Sequence, residues 1–239
     1  MEPQEQKQQN ENVVKKMSIS TPAAIITAGV IVAAALIFSG KGPAKVNQVN
    51  DQQKITPTEK VSVRDTDYVR GDISKAEVVI VEYSDSDCPF CERFHNTMQD
   101  VLSQYGTKVA WVYRYFPLSI HPNAENEAIA LECVGELGGN DAFWKYLDQI
   151  ISTTVSPASS KVTLSAIAGT LGVDTKLFES CIANPATAKK VADQSVEAQS
   201  LGAQGTPYSI ATNKKGEQTV IPGALPIESL KPIIDALLK

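Results

Sequence analysis

Histidine and cysteine, the residues from which many metal sites and catalytic sites are built, are scarce in this sequence. The chain of 239 residues has two histidines and four cysteines. Only Cys88 and Cys91 are closely spaced, and neither His95 nor His121 belongs to a second short-spaced pair. Because a structural zinc site needs four ligands, zinc binding by these cysteines is disfavoured. We expect neither a metal nor a cofactor.

Positive charge is also in short supply. Lysine and arginine together number 22, against 27 acidic residues, which leaves a net charge of −5. Proteins that bind nucleic acids usually carry a basic surface, so the composition argues against such a partner. The hydrophobic fraction of 43% is that of an ordinary folded protein, and no internal repeat is visible.

The N-terminal region divides into segments of different composition. Residues 1–16 are polar and charged, and predict a disordered tail. Residues 17–40 carry no charge, and a helix of about 24 residues, roughly 36 Å long, can cross a bilayer core of about 30 Å. We predict one N-terminal transmembrane helix there, with a cleaved signal peptide as the alternative. Residues 41–60 predict a linker, and we expect the folded domain over 61–239.

The orientation of this predicted anchor is only weakly encoded. Three lysines precede it and three follow within residues 41–54, so the positive-inside count is nearly balanced. The adjacent Lys15 and Lys16 favour a cytoplasmic N-terminus, and stable disulfides belong outside the cytosol. We predict a single-pass protein of the cell membrane with its folded domain on the extracytoplasmic side.

The strongest chemical signal is the motif Cys88-Pro89-Phe90-Cys91. It follows the β-branched run 78–83, a predicted buried strand, and precedes an apolar pattern of helical spacing that ends near Gly106. Cys88 would then occupy the helix N-cap with Pro89 at the first helical position, where the helix dipole favours a thiolate. This predicts Cys88 as the nucleophile and the more exposed sulfur, and Cys91 as the resolving thiol. A redox site is favoured over a purely structural disulfide.

The charged neighbours of Cys88 act on it in opposite directions. Asp85 and Asp87 would oppose a thiolate, whereas Arg93 would favour it. We interpret His121 as a capping or surface residue rather than a catalyst. His95 is predicted to lie on the outer face of the helix.

The rest of the chain predicts an α/β fold. Apolar patterns indicate a second strand over 108–116 and a helical insertion over about 118–202. Two strands at 208–211 and 218–221 flank a turn, and an amphipathic helix over 226–238 closes the chain. The order β-α-β, helices, β-β-α predicts a four-stranded mixed sheet interrupted by the helical insertion.

Four stretches of this chain resemble one known family. They are the run from Val81 to Cys91, Arg114-Tyr115-Phe116-Pro117-Leu118, Glu132-Cys133 and Gly205-Thr206-Pro207. From about residue 61 onward, the chain resembles the DsbA-like thioredoxin-fold family of extracytoplasmic thiol-disulfide oxidoreductases. The resemblance implies a thioredoxin fold and an enzyme in which Cys88 attacks and Cys91 resolves.

The resemblance also implies roles outside the cysteine motif. Glu82 would be a buried acid that carries protons to Cys91, with an exposed glutamate at the strand end as the alternative. Pro207 would be a cis-proline beside the disulfide, rather than an ordinary trans-proline, and would leave the backbone of Thr206 free to pair with a substrate strand. Phe90 is expected to contact substrate with them.

Cys133 and Cys181 are each predicted on the apolar face of a helix. An even number of cysteines in an extracytoplasmic domain favours a disulfide between them, and some relatives carry a structural disulfide at matching positions. Reduced core cysteines are the alternative.

The expected function is oxidation of thiols in exported proteins. The motif carries Pro-Phe where the strongest oxidants have Pro-His, so we expect a milder oxidant. Expected partners are reduced or unfolded exported proteins and a membrane or small-molecule reoxidant. A disulfide reductase or isomerase of the same fold, or a non-catalytic binding module for unfolded chains, are the alternatives.

Overall fold

The computed structural model describes residues 60–154 and 164–239. The predicted tail, the transmembrane segment and nearly all of the linker lie outside these residues. Among the helices of the described ranges, none is both long enough and apolar enough to cross a membrane. The elements are β1 (Tyr68–Arg70), β2 (Val78–Ser84), α1 (Pro89–Tyr105), β3 (Val109–Tyr115), α2 (Ala124–Thr154), α3 (Leu164–Thr170), α4 (Thr175–Ile182), α5 (Pro185–Ser200), β4 (Tyr208–Asn213), β5 (Gln218–Pro222) and α6 (Ile227–Leu237).

The described strands form one mixed sheet in the order β1-β3-β2-β4-β5. Strands β2 and β3 are parallel, and every other neighbouring pair is antiparallel. Helix α1 makes the crossover between the parallel strands, as the run after the cysteine motif predicts. Helices α2 to α5 separate β3 from β4, where the helical insertion is predicted.

The prediction of four strands is wrong, because β1 adds a fifth at the edge beside β3. This strand has only three residues, all half-buried, so it is too short to produce an alternating apolar pattern. Its free edge is occupied by the side chain of Asn140. The amide of Asn140 accepts from the N–H of Val69 and donates to its carbonyl, both at 2.8 Å, and so closes an edge that could pair with another chain.

The two faces of β2 pack against different helices because side chains alternate along a strand. Val78 and Ile80 belong to a large core formed with residues of α1, α2 and α6. Val81 and Tyr83 face the other way, into a smaller core formed with residues of β4, β5 and α5. Glu82 has the parity of Ile80, so its carboxyl lies on the side covered by α1.

The helical insertion is tied together covalently. Gly139, at φ +77°, breaks the helical geometry within α2. A disulfide joins Cys133 of α2 to Cys181 of α4, with their Cα atoms 5.7 Å apart. Because the bridge spans 48 residues, it restricts a long loop of the unfolded chain.

Arg114 of β3 anchors the segment before β1. It is fully buried and donates two hydrogen bonds to Asp67, at 3.0 and 2.7 Å, and one to the backbone oxygen of Ser62 at 2.7 Å. It also donates to the Tyr83 hydroxyl at 2.9 Å. These contacts fix the start of the described domain against the sheet, and removing one partner would leave a buried charge unpaired.

We predict that Gly135→Ala lowers the free energy of unfolding by about 1–3 kcal/mol. A Cβ at Gly135 would overlap the ring of Tyr68, which stacks on Phe143 at 4.0 Å. The measurement is urea unfolding. The matched control is Gly169→Ala, where the new Cβ would meet only Thr175 Cγ2 at 3.5 Å. Equal stability of the two variants would contradict the prediction.

Replacing both Cys133 and Cys181 with alanine should lower the free energy of unfolding by about 4 kcal/mol, the chain-entropy value for a loop of this length. The comparison is made by urea unfolding in a Cys88→Ser/Cys91→Ser background, so that only the Cys133–Cys181 bridge differs. A loss below about 1 kcal/mol would show that the bridge does not constrain the unfolded chain.

Candidate active site

The two cysteines of the motif lie at the junction between β2 and α1. Cys88 occupies the N-cap of α1 with extended backbone angles, and Pro89 takes the first helical position. Both thiols are free in this structure. Cys88 is 2% exposed and Cys91 is completely buried. A substrate thiol can therefore reach only the outer edge of Cys88.

The environment of Cys88 favours its thiolate. Its pKa is lowered to about 5, chiefly by the thiol of Cys91 and, against the opposing effect of burial, by the side chain of Thr206 and the nearby amides of Cys91 and Phe90. At neutral pH this sulfur is charged, so it is both a ready nucleophile and a good leaving group.

Cys91 has the opposite character. Burial raises its pKa well above the ordinary value, and the Cys88 sulfur and the charge of Glu82 raise it further. Its Sγ accepts one hydrogen bond, from the N–H of Asp85 at 3.4 Å. Cys91 is thus a poor leaving group unless a proton reaches it.

Glu82 lies close enough to Cys91 for its charge to raise the pKa of that thiol. Glu82 is 1% exposed, which excludes the alternative of an exposed glutamate at the strand end. Burial raises its pKa to about 7, although the side chains of Ser84 and Trp111 act in the opposite direction. Its Oε2 accepts from Trp111 Nε1 at 2.8 Å. A carboxyl of this kind can hold or release a proton at neutral pH.

Thr206 and Pro207 stand opposite Cys88. The Thr206–Pro207 peptide bond is cis, and Cys88 Sγ lies 3.8 Å from the Thr206 backbone oxygen. A surface hollow of about 500 Å³ begins at these residues and extends along β4 and β5. On the other side of the motif Phe90 is 53% exposed, with the Arg93 guanidinium 4.7 Å from its ring centre. Of the three predicted substrate-binding residues, Thr206 therefore contacts Cys88 and Phe90 presents an exposed ring, whereas Pro207 is buried.

Asp85 and His121 form a pair that sequence reasoning did not find. Asp85 is buried, and its Oδ2 lies 2.7 Å from His121 Nδ1 and accepts from the N–H of Leu118 at 2.8 Å. The sequence predicts His121 only as a capping or surface residue. No local pattern connects two residues that lie 36 positions apart, so the pairing became visible only in the folded chain.

The prediction that His95 lies on the outer face of α1 is wrong. His95 is 3% exposed, its Nε2 lies 2.7 Å from Asp148 of α2, and its ring packs edge-on against Trp111 at 5.0 Å. Helix α2 of the insertion covers a face of α1 that would otherwise be open to solvent. Across residues 60–154 and 164–239, no group of three or more His, Cys, Asp or Glu could hold a metal ion.

The sequence of the chain matches the model of a known family. The family model described as thioredoxin matches residues 64–236, which is most of the chain. The chain belongs to the thioredoxin family. The predicted thioredoxin fold is confirmed, and so is the resemblance to DsbA-like thioredoxin-fold oxidoreductases.

Several solved thioredoxin-family structures superpose on the chain. DsbA2 of Pseudomonas aeruginosa is 25% identical, with a TM-score of 0.62 over 74% of this chain and 97% of that one. The α-DsbA1 of Wolbachia pipientis is 20% identical, with a TM-score of 0.63 over 74% and 92%. BdbD of Bacillus subtilis, in its oxidised form, is 19% identical, with a TM-score of 0.61 over 72% and 93%.

Curated relatives in sequence carry a different name. The Na⁺/H⁺ antiporter NhaA 3 of Salinispora tropica is 35% identical over 155 residues, which are 63% of this chain and 22% of the antiporter. The NhaA antiporter of Herminiimonas arsenicoxydans is 29% identical over 141 residues, 59% and 21% of the two chains. This thioredoxin-family chain thus spans about a fifth of the length of the curated relatives that it matches.

Glu82→Gln should remove a pH dependence of stability in the reduced protein. The pKa of Glu82 rises from 4.5 to about 7 on folding, so the folded state binds its proton more tightly than the unfolded chain does. Between pH 4.5 and pH 8 the wild type should therefore lose about 3 kcal/mol more of its unfolding free energy than Glu82→Gln loses.

The measurement is urea unfolding of both proteins, in reductant, at the two pH values. Glu228→Gln, which alters an exposed carboxyl on α6, is the control and should follow the wild type. If Glu82→Gln also follows the wild type, the carboxyl of Glu82 does not carry the predicted proton.

Proposed function

We propose that this protein is an extracytoplasmic thiol-disulfide oxidoreductase that oxidises thiols of exported proteins through Cys88 and Cys91. The observation that carries the proposal is the placement of the two thiols, with Cys88 at the N-cap of α1 beside the cis Thr206–Pro207 bond and Cys91 completely buried. This placement lowers the pKa of Cys88 and raises that of Cys91. A stabilised Cys88 thiolate stabilises the reduced protein. The disulfide form is then the better electron acceptor, as an oxidase requires.

The reaction begins with the Cys88–Cys91 disulfide. A substrate thiolate attacks Cys88 Sγ, a mixed disulfide forms, and the electron pair of the broken S–S bond goes to Cys91 Sγ. Cys91 takes up a proton, because its buried thiolate is unfavourable. A second substrate thiolate then attacks the substrate sulfur of the mixed disulfide. Cys88 leaves as a thiolate, and the substrate departs with a new disulfide and two fewer electrons.

The surrounding residues divide the work of these two steps. Glu82, with a pKa of about 7, is the proton donor for Cys91 in the first step. The second step needs no acid, because the pKa of Cys88 lies below neutral pH. The backbone of Thr206, beside the Cys88 sulfur, is available to pair with an extended substrate strand, and Phe90 offers an exposed ring to its side chains.

Two further parts of the proposal concern the setting of the enzyme. The reduced Cys88–Cys91 pair passes two electrons to an oxidant, which is a membrane protein or a small-molecule disulfide, and Cys91 gives up its proton as the disulfide re-forms. The uncharged segment 17–40 supports a membrane tether, and Lys15 and Lys16 before it, together with the Cys133–Cys181 disulfide, favour the extracytoplasmic side for the domain. Such a tether would hold the redox site close to a membrane oxidant.

A reductase or isomerase is the second candidate. The Cys88 pKa of about 5 lies between the values of about 7 for thioredoxin and about 3.5 for a strong DsbA oxidant. Phe90, which has no positive charge, stands beside the thiolate. An intermediate potential is therefore expected, and potential is the property that separates these activities.

The reduction potential of the Cys88–Cys91 pair should lie above about −200 mV, closer to disulfide isomerases and DsbA than to thioredoxin at about −270 mV. It is measured by equilibrating the full chain, in detergent, with glutathione buffers and trapping the thiols. A potential near that of thioredoxin would overturn the oxidase and favour the reductase.

The companion measurement is refolding of a reduced, disulfide-containing substrate. Cys88→Ser should abolish the acceleration of refolding, whereas Lys189→Gln, an exposed change on α5, should retain it. Full activity of Cys88→Ser would instead support a binding module for unfolded chains.

A further inference from the structure

The carboxylate of Asp85 is the centre of the loop that carries Cys88. Its side chain has no solvent exposure. Oδ1 accepts from the N–H of Asp87 at 2.9 Å, and Oδ2 accepts from Leu118 N at 2.8 Å and faces His121 Nδ1 at 2.7 Å. A buried carboxylate of this kind needs such partners, because burial of an unpaired charge costs several kcal/mol.

The backbone of the same residue touches both cysteines. Asp85 N donates to Cys91 Sγ at 3.4 Å, and Asp85 O accepts from the N–H of Cys88 at 3.1 Å. Because the backbone of Asp85 contacts both cysteines directly, a change in the position or net charge of its side chain acts on the redox pair. A lone negative charge at this place would oppose the Cys88 thiolate.

His121 is held on Asp85 by the loop that follows β3. The backbone N–H of His121 donates to Leu118 O at 3.0 Å, and the backbone N–H of Phe116, at the start of the loop, donates to Ser84 O at 2.8 Å. Asn123 N, at the end of the loop, donates to Asp87 Oδ2 at 3.0 Å. These hydrogen bonds connect the two loops along their length. They hold the imidazole beside the Asp85 carboxylate, with 18% of the His121 side chain exposed.

We propose that His121 is a positioning residue of the redox reaction: its imidazolium neutralises Asp85 and thereby stabilises the Cys88 thiolate, so that the potential of the pair depends on the protonation of His121. The inference rests on the proposed oxidoreductase function. It adds a specific source for the redox poise of a motif whose own intervening residues, Pro89 and Phe90, carry no charge.

The groups that face His121 make it a base of increased strength. Burial alone would lower its pKa, but the Asp85 carboxylate raises it above the ordinary value, and the negative charges of Cys88 and Asp87 raise it further. Glu125 of α2 lines the surface groove in which His121 lies. The part of α5 across the groove contributes Ala192, Ser195 and Val196, none of which is charged. As the pH rises through the His121 pKa, the imidazolium is lost and the thiolate loses its support.

The first test uses the wild-type chain, in detergent, and follows the imidazole signals by NMR against pH. The chain has two histidines, and the spectrum of His121→Gln identifies which signal belongs to His121. Because linkage is reciprocal, His121 should titrate at least about 0.5 pH unit higher in the dithiol form, where Cys88 is charged, than in the disulfide form. Identical titration of His121 in both forms would overturn the inference.

The second test compares variants in glutathione buffers. His121→Gln should raise the Cys88 pKa by about one unit, followed by thiolate absorbance, and shift the equilibrium about tenfold toward the disulfide, which is about 30 mV. His121→Lys, which keeps a positive charge, should retain the low Cys88 pKa. The potential of this variant should not show the change in slope that the wild type shows where His121 titrates.

Lys189→Gln removes one exposed positive charge, which pairs with Asp193 on α5, and is the matched control. If His121→Gln has the same Cys88 pKa and potential as Lys189→Gln, His121 has no role in the poise. That outcome leaves the oxidoreductase in place, whereas a wild-type chain that exchanges no disulfide with glutathione would overturn the proposed function itself. Should His121→Gln fail to fold, the wild-type titrations decide the matter.

Discussion

The complete burial of the Cys91 thiol is the constraint on which the rest of the site depends. A charge on a sulfur that is buried away from solvent is energetically unfavourable. The negative charge of the reduced pair is therefore located on Cys88 at the edge of the site. Glu82 lies in the same buried region, and its burial raises its pKa into the neutral range. One physical effect, burial beneath α1, therefore raises the pKa of both Cys91 and Glu82 and leaves the negative charge of the reduced pair on Cys88.

That buried region exists because of how the chain is layered. The parallel pair β2 and β3 is buried on both faces, and α1, α2 and α6 cover the face that carries Glu82. Trp111, from the neighbouring strand, satisfies one carboxylate oxygen of Glu82 and supports the ring of His95. The helical insertion is thus part of the site, since α2 seals the side of α1 from which water would otherwise reach these groups.

The parts of this molecule that sequence could predict are those encoded locally. The β-branched run before Cys88 and the helical spacing after it give β2 and α1, and alternation along β2 places Glu82 on one side of the sheet. Contacts between distant segments are not encoded in this way. Strand β1 is too short to leave a pattern, and it is fixed by Asn140 of the insertion. His95 looks like a surface residue until α2 is laid over it.

The same distinction governs the electrostatics of the redox loop. In the sequence, Asp85 and Asp87 are two negative charges next to a thiolate and argue for a weak oxidant. In the folded chain the carboxylate of Asp85 accepts hydrogen bonds from the loop after β3 and faces His121, and that of Asp87 accepts from Asn123. These hydrogen bonds and the His121 imidazolium offset part of the negative charge that the two carboxylates present to Cys88. The four residues of the motif therefore do not fix its redox poise alone, because a second loop decides how much of the neighbouring negative charge the sulfur experiences.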